Sequence, residues 1–161
     1  MKGCSFTGHR TIEKKHRAGI RDLVMRAVNY AYGEGCRDFY NGCAIGFDLL
    51  CASVVLEYRE THPDVKLHIL VPCRNQDANW NSADRAEYAN VLALADTVTV
   101  LAESYYDGCM QARNRALVES CDMLIAYRGR SWGGTAATVR LATKANKTVY
   151  NLYPALDGEG K

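Results

Sequence analysis

Met123-Leu124-Ile125-Ala126 is followed by Tyr127-Arg128-Gly129-Arg130-Ser131-Trp132-Gly133-Gly134-Thr135, and a helical period then runs from about 134 to 146. The apolar run is too short for a buried helix and suits a strand covered on both faces. A helix over about 107–120 leads straight into it, and a second strand, Thr148 to Leu152, follows the later helix. Strands alternating with helices imply βαβ crossovers, which lay the strands parallel.

The same alternation extends back to the N-terminus. Residues 2–6 read as a strand. Ile20, Leu23, Val24, Ala27, Val28 and Ala31 recur at three- and four-residue steps, an amphipathic helix ending near Gly33 and Gly35. A short strand at 37–40 and a helix at about 47–60 come next. Lys66 to Val71 is a strand closed by Pro72, about 82–95 is helical, and Thr97 to Leu101 is a strand. Six strands with five helices predict an α/β fold, a Rossmann-like three-layer α/β/α sandwich with a mostly parallel sheet. Residues 1–156 form one domain, with Asp157 to Lys161 expected as a loose tail.

At 161 residues the chain can bury a full core, and its 48% hydrophobic and 24% charged composition is ordinary for a globular domain. A formal net charge of +2, with both signs interspersed, gives no electrostatic case for nucleic acid or an anionic membrane. The nearest basic run, Lys14, Lys15, His16 and Arg17, reads as the solvated face of an opening helix. The first residues lack a long apolar stretch, so no signal peptide is expected, and no apolar run reaches bilayer length. Seven cysteines show neither a CxxC pair nor zinc spacing, so they are expected as free thiols in a reducing cytosol, with no metal site. Cys43 and Cys73 lie in loops near the expected site, but no histidine is placed to pair with them.

In open parallel sheets, ligands bind beyond the carboxyl ends of the strands, where helix N-termini present free N–H groups. The chemistry should therefore lie in Thr7-Gly8-His9-Arg10, in Asn41 through Asp48, in Pro72 through Trp80, and in Tyr127 through Thr135. Gly42 and Gly46 allow a backbone turn close to phosphate or ribose. Asp48, in the first turn of a helix, suits either capping or ribose hydroxyls. Gly133, Gly134 and Thr135 suit either an anion nest at a helix start or an N-cap with loop glycines, and Thr138, one turn on, would add a second hydroxyl to the nest. Arg113, with Asn114, sits near a helix N-terminus on its inward face, as a phosphate ligand or an internal ion pair. His9 is a ligand contact, a general base or a structural hydrogen-bonder, and Trp80 is a base-stacking or a packing residue. Neither GxGxxG nor GxxxxGK[ST] is present, which argues against nicotinamide dinucleotides and Walker-type nucleotide hydrolysis.

Taken together these loops resemble the SLOG superfamily, specifically its YpsA-like branch. The resemblance rests on Phe6-Thr7-Gly8-His9-Arg10, Gly42-Cys43-Ala44-Ile45-Gly46-Phe47-Asp48, Pro72 with Asn79-Trp80, Arg113-Asn114 leading to Ser120-Cys121-Asp122, and Gly133-Gly134-Thr135 with Thr138. It implies a Rossmann-like fold, a pocket for nucleotide-derived ligands, and a homo-oligomer. Relatives include the DNA-processing protein DprA and the LOG phosphoribohydrolases, which release a base from a nucleoside monophosphate. LOG enzymes carry Gly-Gly-x-Gly-Thr-x-x-Glu; here the run is Gly133-Gly134-Thr135-Ala136-Ala137-Thr138-Val139-Arg140, without the glutamate. The expected function is therefore nucleotide binding as a sensor or regulatory module. The alternatives are an N-glycosidic hydrolase or transferase, with Asp48, Glu87 or His9 as the catalytic candidates, and a protein-interaction domain in cell division or DNA processing.

Overall fold

The strands β1 (Lys2–Gly8), β2 (Cys36–Asn41), β3 (Lys66–Val71), β4 (Thr97–Val100), β5 (Met123–Tyr127) and β6 (Thr148–Asn151) form one six-stranded parallel sheet in the order β4-β3-β2-β1-β5-β6. These come from a computed structural model that describes residues 2–158. The helices are α1 (Ile20–Gly33), α2 (Phe47–Thr61), α3 (Ser82–Leu94), α4 (Cys109–Ser120), α5 (Gly134–Lys144) and the short α6 (Tyr153–Leu156), with one 3₁₀ turn at Lys14–His16. α1, α2 and α3 pack in series, and α4 packs on α5. Right-handed crossovers carry the first three to one face of the sheet and, once the chain doubles back from β4 to β5, the other two to the opposite face. The expected three-layer α/β/α sandwich is the observed fold.

The burial pattern follows from strand position. β5 and most of β1 are buried because both faces are helix-covered and neighbours flank both edges, whereas Thr97 to Thr99 on the edge strand β4 are exposed. Phe6, Phe39, Leu67, Ile69 and Ile125 meet Val24, Val28, Val54 and Val55 in the main core, each fully buried aliphatic or aromatic side chain contributing roughly 1.5–3 kcal/mol. Val118, Cys121, Leu124 and Ala142 fill a smaller cluster. All seven cysteines are buried free thiols, and burial raises Cys43 and Cys73 above the usual thiol range, which makes them inert packing groups rather than nucleophiles.

Two expectations change. The basic run at Lys14 to Arg17 does not open a helix face: it is a 3₁₀ turn set off from α1 by Gly19, and its His16 is fully buried. His16 Nδ1 lies 2.7 Å from the Tyr127 hydroxyl, and its Nε2 meets the Asp157 carboxylate. That contact, with a Lys15–Asp157 ion pair at 3.0 Å, fixes Asp157 against the domain, so the chain is anchored one residue past the expected boundary at 156. Residues 159–161 of the expected tail lie outside the described residues.

Candidate functional site

β1 is flanked by β2, which follows it in sequence, and by β5, reached only after the chain has crossed back from β4. Adjacent loops diverge at such a reversal and open a crevice at the strands' carboxyl ends. A cleft of about 510 Å³ occupies this place. Its walls are Thr7 through Lys14 and Arg17 from the first βα connection, Ala44 and Asp48 from the second, Met110, Arg113 and Asn114 from α4, and Arg130, Gly134 and Thr135 from the β5–α5 connection.

The floor is built by residues that hold the backbone tightly. Asn41, at the end of β2, accepts the Cys43 N–H at 2.6 Å and donates to the Asp48 carbonyl at 2.9 Å. Gly46 caps α2 with φ of +84°, and a side chain there would overlap the Arg10 carbonyl. The first loop is thereby seated on the second, with the Phe47 N–H donating to the His9 carbonyl at 3.2 Å. A Cβ at Gly42 would overlap the Arg113 guanidinium, so glycine there is required by close approach.

Arg113 is 6% exposed. Its Nη1 donates to the Gly42 carbonyl at 2.9 Å and its Nε to Asn114 Oδ1 at 3.0 Å, while Nη2 finds only the Met110 sulfur at 3.9 Å. None of the ion pairs among the described residues includes Arg113, which disfavours the internal-salt-bridge reading. Asp48, 5% exposed, accepts a long bond from the Ala44 N–H at 3.4 Å through Oδ2, and its Oδ1 has no partner. Burial pushes its carboxyl up to about 6, against the opposing pull of Arg113. No side chain caps α2, so Asp48 does not serve as its cap, and Oδ1 stays unpaired among the described residues.

His9 receives the Gly129 N–H at Nε2, 2.8 Å away. That lone pair is occupied, so the neutral ring carries its proton on Nδ1, a buried atom without a partner. Burial and the nearby Arg130 lower its pKa and keep it neutral. His9 is therefore a donor rather than a base, on a residue that lines the cleft. Around the mouth, Arg10, Lys14, Arg17 and Arg130 supply positive charge, with Glu13 the single acid among them. α5 begins at Gly134, itself a cleft wall, and no side chain among the described residues caps its N-terminal amides.

Of the residues singled out by sequence, Thr7, Gly8, His9, Arg10, Asp48, Arg113, Asn114, Gly134 and Thr135 line one cleft, and Gly42 and Gly46 shape its floor. Gly133 caps α5 with φ of +96° behind the lining. Thr138 spends its hydroxyl on the Gly134 carbonyl at 2.8 Å and offers nothing to the cleft. Pro72 and Trp80 lie off the site because β3 is two strands from β1; Trp80 packs on Tyr88, ring centres 5.1 Å apart. Glu87 is exposed on α3 and does not reach the cleft, which removes it as a catalytic candidate. Sequence reasoning missed Thr11 through Glu13 and Met110, took Lys14 and Arg17 for a solvated face, and gave Ala44 and Arg130, inside the expected loops, no role of their own. Met110 was legible, one helical turn before Arg113, whereas the basic run needed the 3₁₀ turn to swing it inward.

Residues 5–153 match the model of the family described as YspA SLOG. The chain is 32% identical over 162 residues to a UPF0398 protein of Bacillus cereus, covering 95% of this chain and 88% of that one. It is 29% identical over 158 residues to one of Halalkalibacterium halodurans, covering 89% and 82%. Among solved structures, it is similar to DNA processing protein A of Streptococcus pneumoniae, with a TM-score of 0.65, 16% identity and 93% of this chain covered. The Helicobacter pylori protein of the same name, whose structure concerns its single-stranded DNA binding mode, gives a TM-score of 0.64 at 16% identity over 92% of this chain. The chain spans 53% and 63% of these two longer proteins, and at this identity the likeness shows a shared fold. With a family match across nearly the whole described fold and a relative 32% identical over 95% of the chain, the chain belongs to the YspA SLOG family.

Proposed function

We propose that the cleft at the β1–β5 switch point binds a nucleotide or nucleotide-derived ligand, and that the protein acts as a sensor or regulatory module. One observation carries this reading. Asp48 Oδ1 and His9 Nδ1 are the two buried side-chain polar atoms without a partner among the described residues, and both belong to residues that line this one cleft. A buried unsatisfied polar group costs roughly 1–3 kcal/mol, so two in one place fit a ligand that completes them. Their chemistry specifies its character. Asp48 takes a hydroxyl, His9 gives a hydrogen bond, and Arg113, the mouth cations and the α5 amides take an anion. A phosphorylated ribose carries all of these groups.

The carboxyl of Asp48, pushed to about 6 beside an anion site, also favours a second reading, N-glycosidic cleavage with Asp48 as the acid. Mass spectrometry of small molecules released on denaturing gently purified protein tests both. An intact nucleotide from the wild type, absent from an Arg113→Ala, Gly134→Asp double variant, supports the sensor. Free base with ribose phosphate, lost in Asp48→Asn, supports the hydrolase. Release of nothing, together with no thermal shift across a nucleotide panel, overturns the reading of the cleft.

A further inference from the structure

Trp132 is the most exposed large apolar side chain among the described residues, at 66%. Exposure on a loose loop would mean little, but this loop is pinned. Arg128 donates through its N–H to Asn151 Oδ1 at 3.0 Å and through Nη1 to the Arg130 carbonyl at 3.2 Å. Arg140, from α5, holds the Ser131 carbonyl at 3.0 Å. The Gly129 N–H is the group that engages His9. The backbone on either side of the ring is therefore fixed while the ring itself is left in water, an arrangement that burial does not explain.

The ring's one close companion connects it to the cleft. The Arg130 guanidinium lies 4.3 Å from the centre of the Trp132 ring, and Arg130 is also a cleft wall. A cation on one face leaves the other available to a second flat group. Two residues later the chain reaches Gly134 and the uncapped amides of α5, so a single short loop carries an anion site, a bridging cation and an unoccupied indole. The other exposed aromatics lack this combination. Tyr30 pairs with Tyr150, ring centres 5.3 Å apart, and Tyr105 and Tyr106 are not among the cleft walls and stack on no cleft cation.

From this we infer that Trp132 is the stacking platform for the base of the bound nucleotide. The inference rests on the reading of the cleft above and narrows it, because the ligand is then a base-bearing nucleotide rather than a bare sugar phosphate. Trp80, the sequence-based candidate for stacking, is packed on Tyr88 instead.

Adenosine monophosphate and ribose 5-phosphate differ only by the base, so calorimetric titration of the two isolates its contribution. Stacking on an aromatic side chain makes the monophosphate bind about tenfold tighter to the wild type, and Trp132→Ala brings the two within about twofold while leaving ribose 5-phosphate unchanged. In Trp80→Phe, where Trp132 is the sole indole, the monophosphate quenches the fluorescence and ribose 5-phosphate does not. Unchanged monophosphate affinity in Trp132→Ala overturns the stacking inference and leaves the cleft standing. If that unchanged affinity comes with altered sedimentation, the ring belongs to a contact between copies. If neither compound binds the wild type, the cleft reading itself fails and the stacking inference falls with it.

Discussion

Two long polar loops leave the same edge of the sheet, and only one becomes part of the cleft. The loop after β3, Pro72 through Trp80, spends its polar groups on its own surroundings. Arg74 makes two bonds to Glu103 at 2.9 and 3.0 Å, Gln76 donates to the Gly42 carbonyl and the Tyr88 hydroxyl, and Asp77 pairs with Arg85. The loop after β5 leaves Arg130 without a carboxylate among the described residues and leads into the uncapped amides of α5. Composition does not separate them. Strand order does, because β5 borders β1 across the chain reversal while β3 lies two strands away with its loop closed over by neighbours.

The contrast is open to measurement. Its sharpest break is Arg113→Ala, which removes the buried cation of the cleft floor and should weaken adenosine monophosphate by about 100-fold in a calorimetric titration. An affinity within threefold of wild type would move the anion site elsewhere.

The next effect is on stability. Asp48 is raised from 3.8 to about 6 in the folded chain, so the fold binds its proton more tightly than the unfolded chain does. The stability this contributes is present below about pH 4 and lost as pH rises through 6. Asp48→Asn should therefore be more stable than wild type at pH 7.5, on the order of 2 kcal/mol, with the difference shrinking toward pH 4 in urea melts. A difference that stays flat with pH would mean that Asp48 is not a buried, unpartnered acid.

The smallest effect belongs to the other loop. Arg74→Ala breaks an exposed, solvent-screened pair and should leave both monophosphate affinity and the urea midpoint indistinguishable from wild type. A large loss of affinity there would erase the distinction between the loops.

The sequence by itself determined the architecture. The central strands β1, β3 and β5 were legible as short apolar runs and α1 as a three-to-four-residue period, because a parallel sheet covered on both faces demands those patterns locally; β2 and β4 were read from their place in the alternation. It also marked the residues whose chemistry points at a strand's end, such as Arg113, Gly134 and His9, since a parallel sheet places its βα loops on one edge. Tertiary structure alone decided which of those loops meet. Strand order kept Trp80 and Glu87 away from the cleft and brought Asp48 and Arg113 into its walls together. A net charge of +2 concealed Lys14, Arg17 and Arg130 around one mouth, because the segments that carry them are distant in sequence and adjacent only after folding. Whether a polar atom is satisfied is likewise a property of its neighbours in space, and so the free atoms of His9 and Asp48 emerged only from the folded chain.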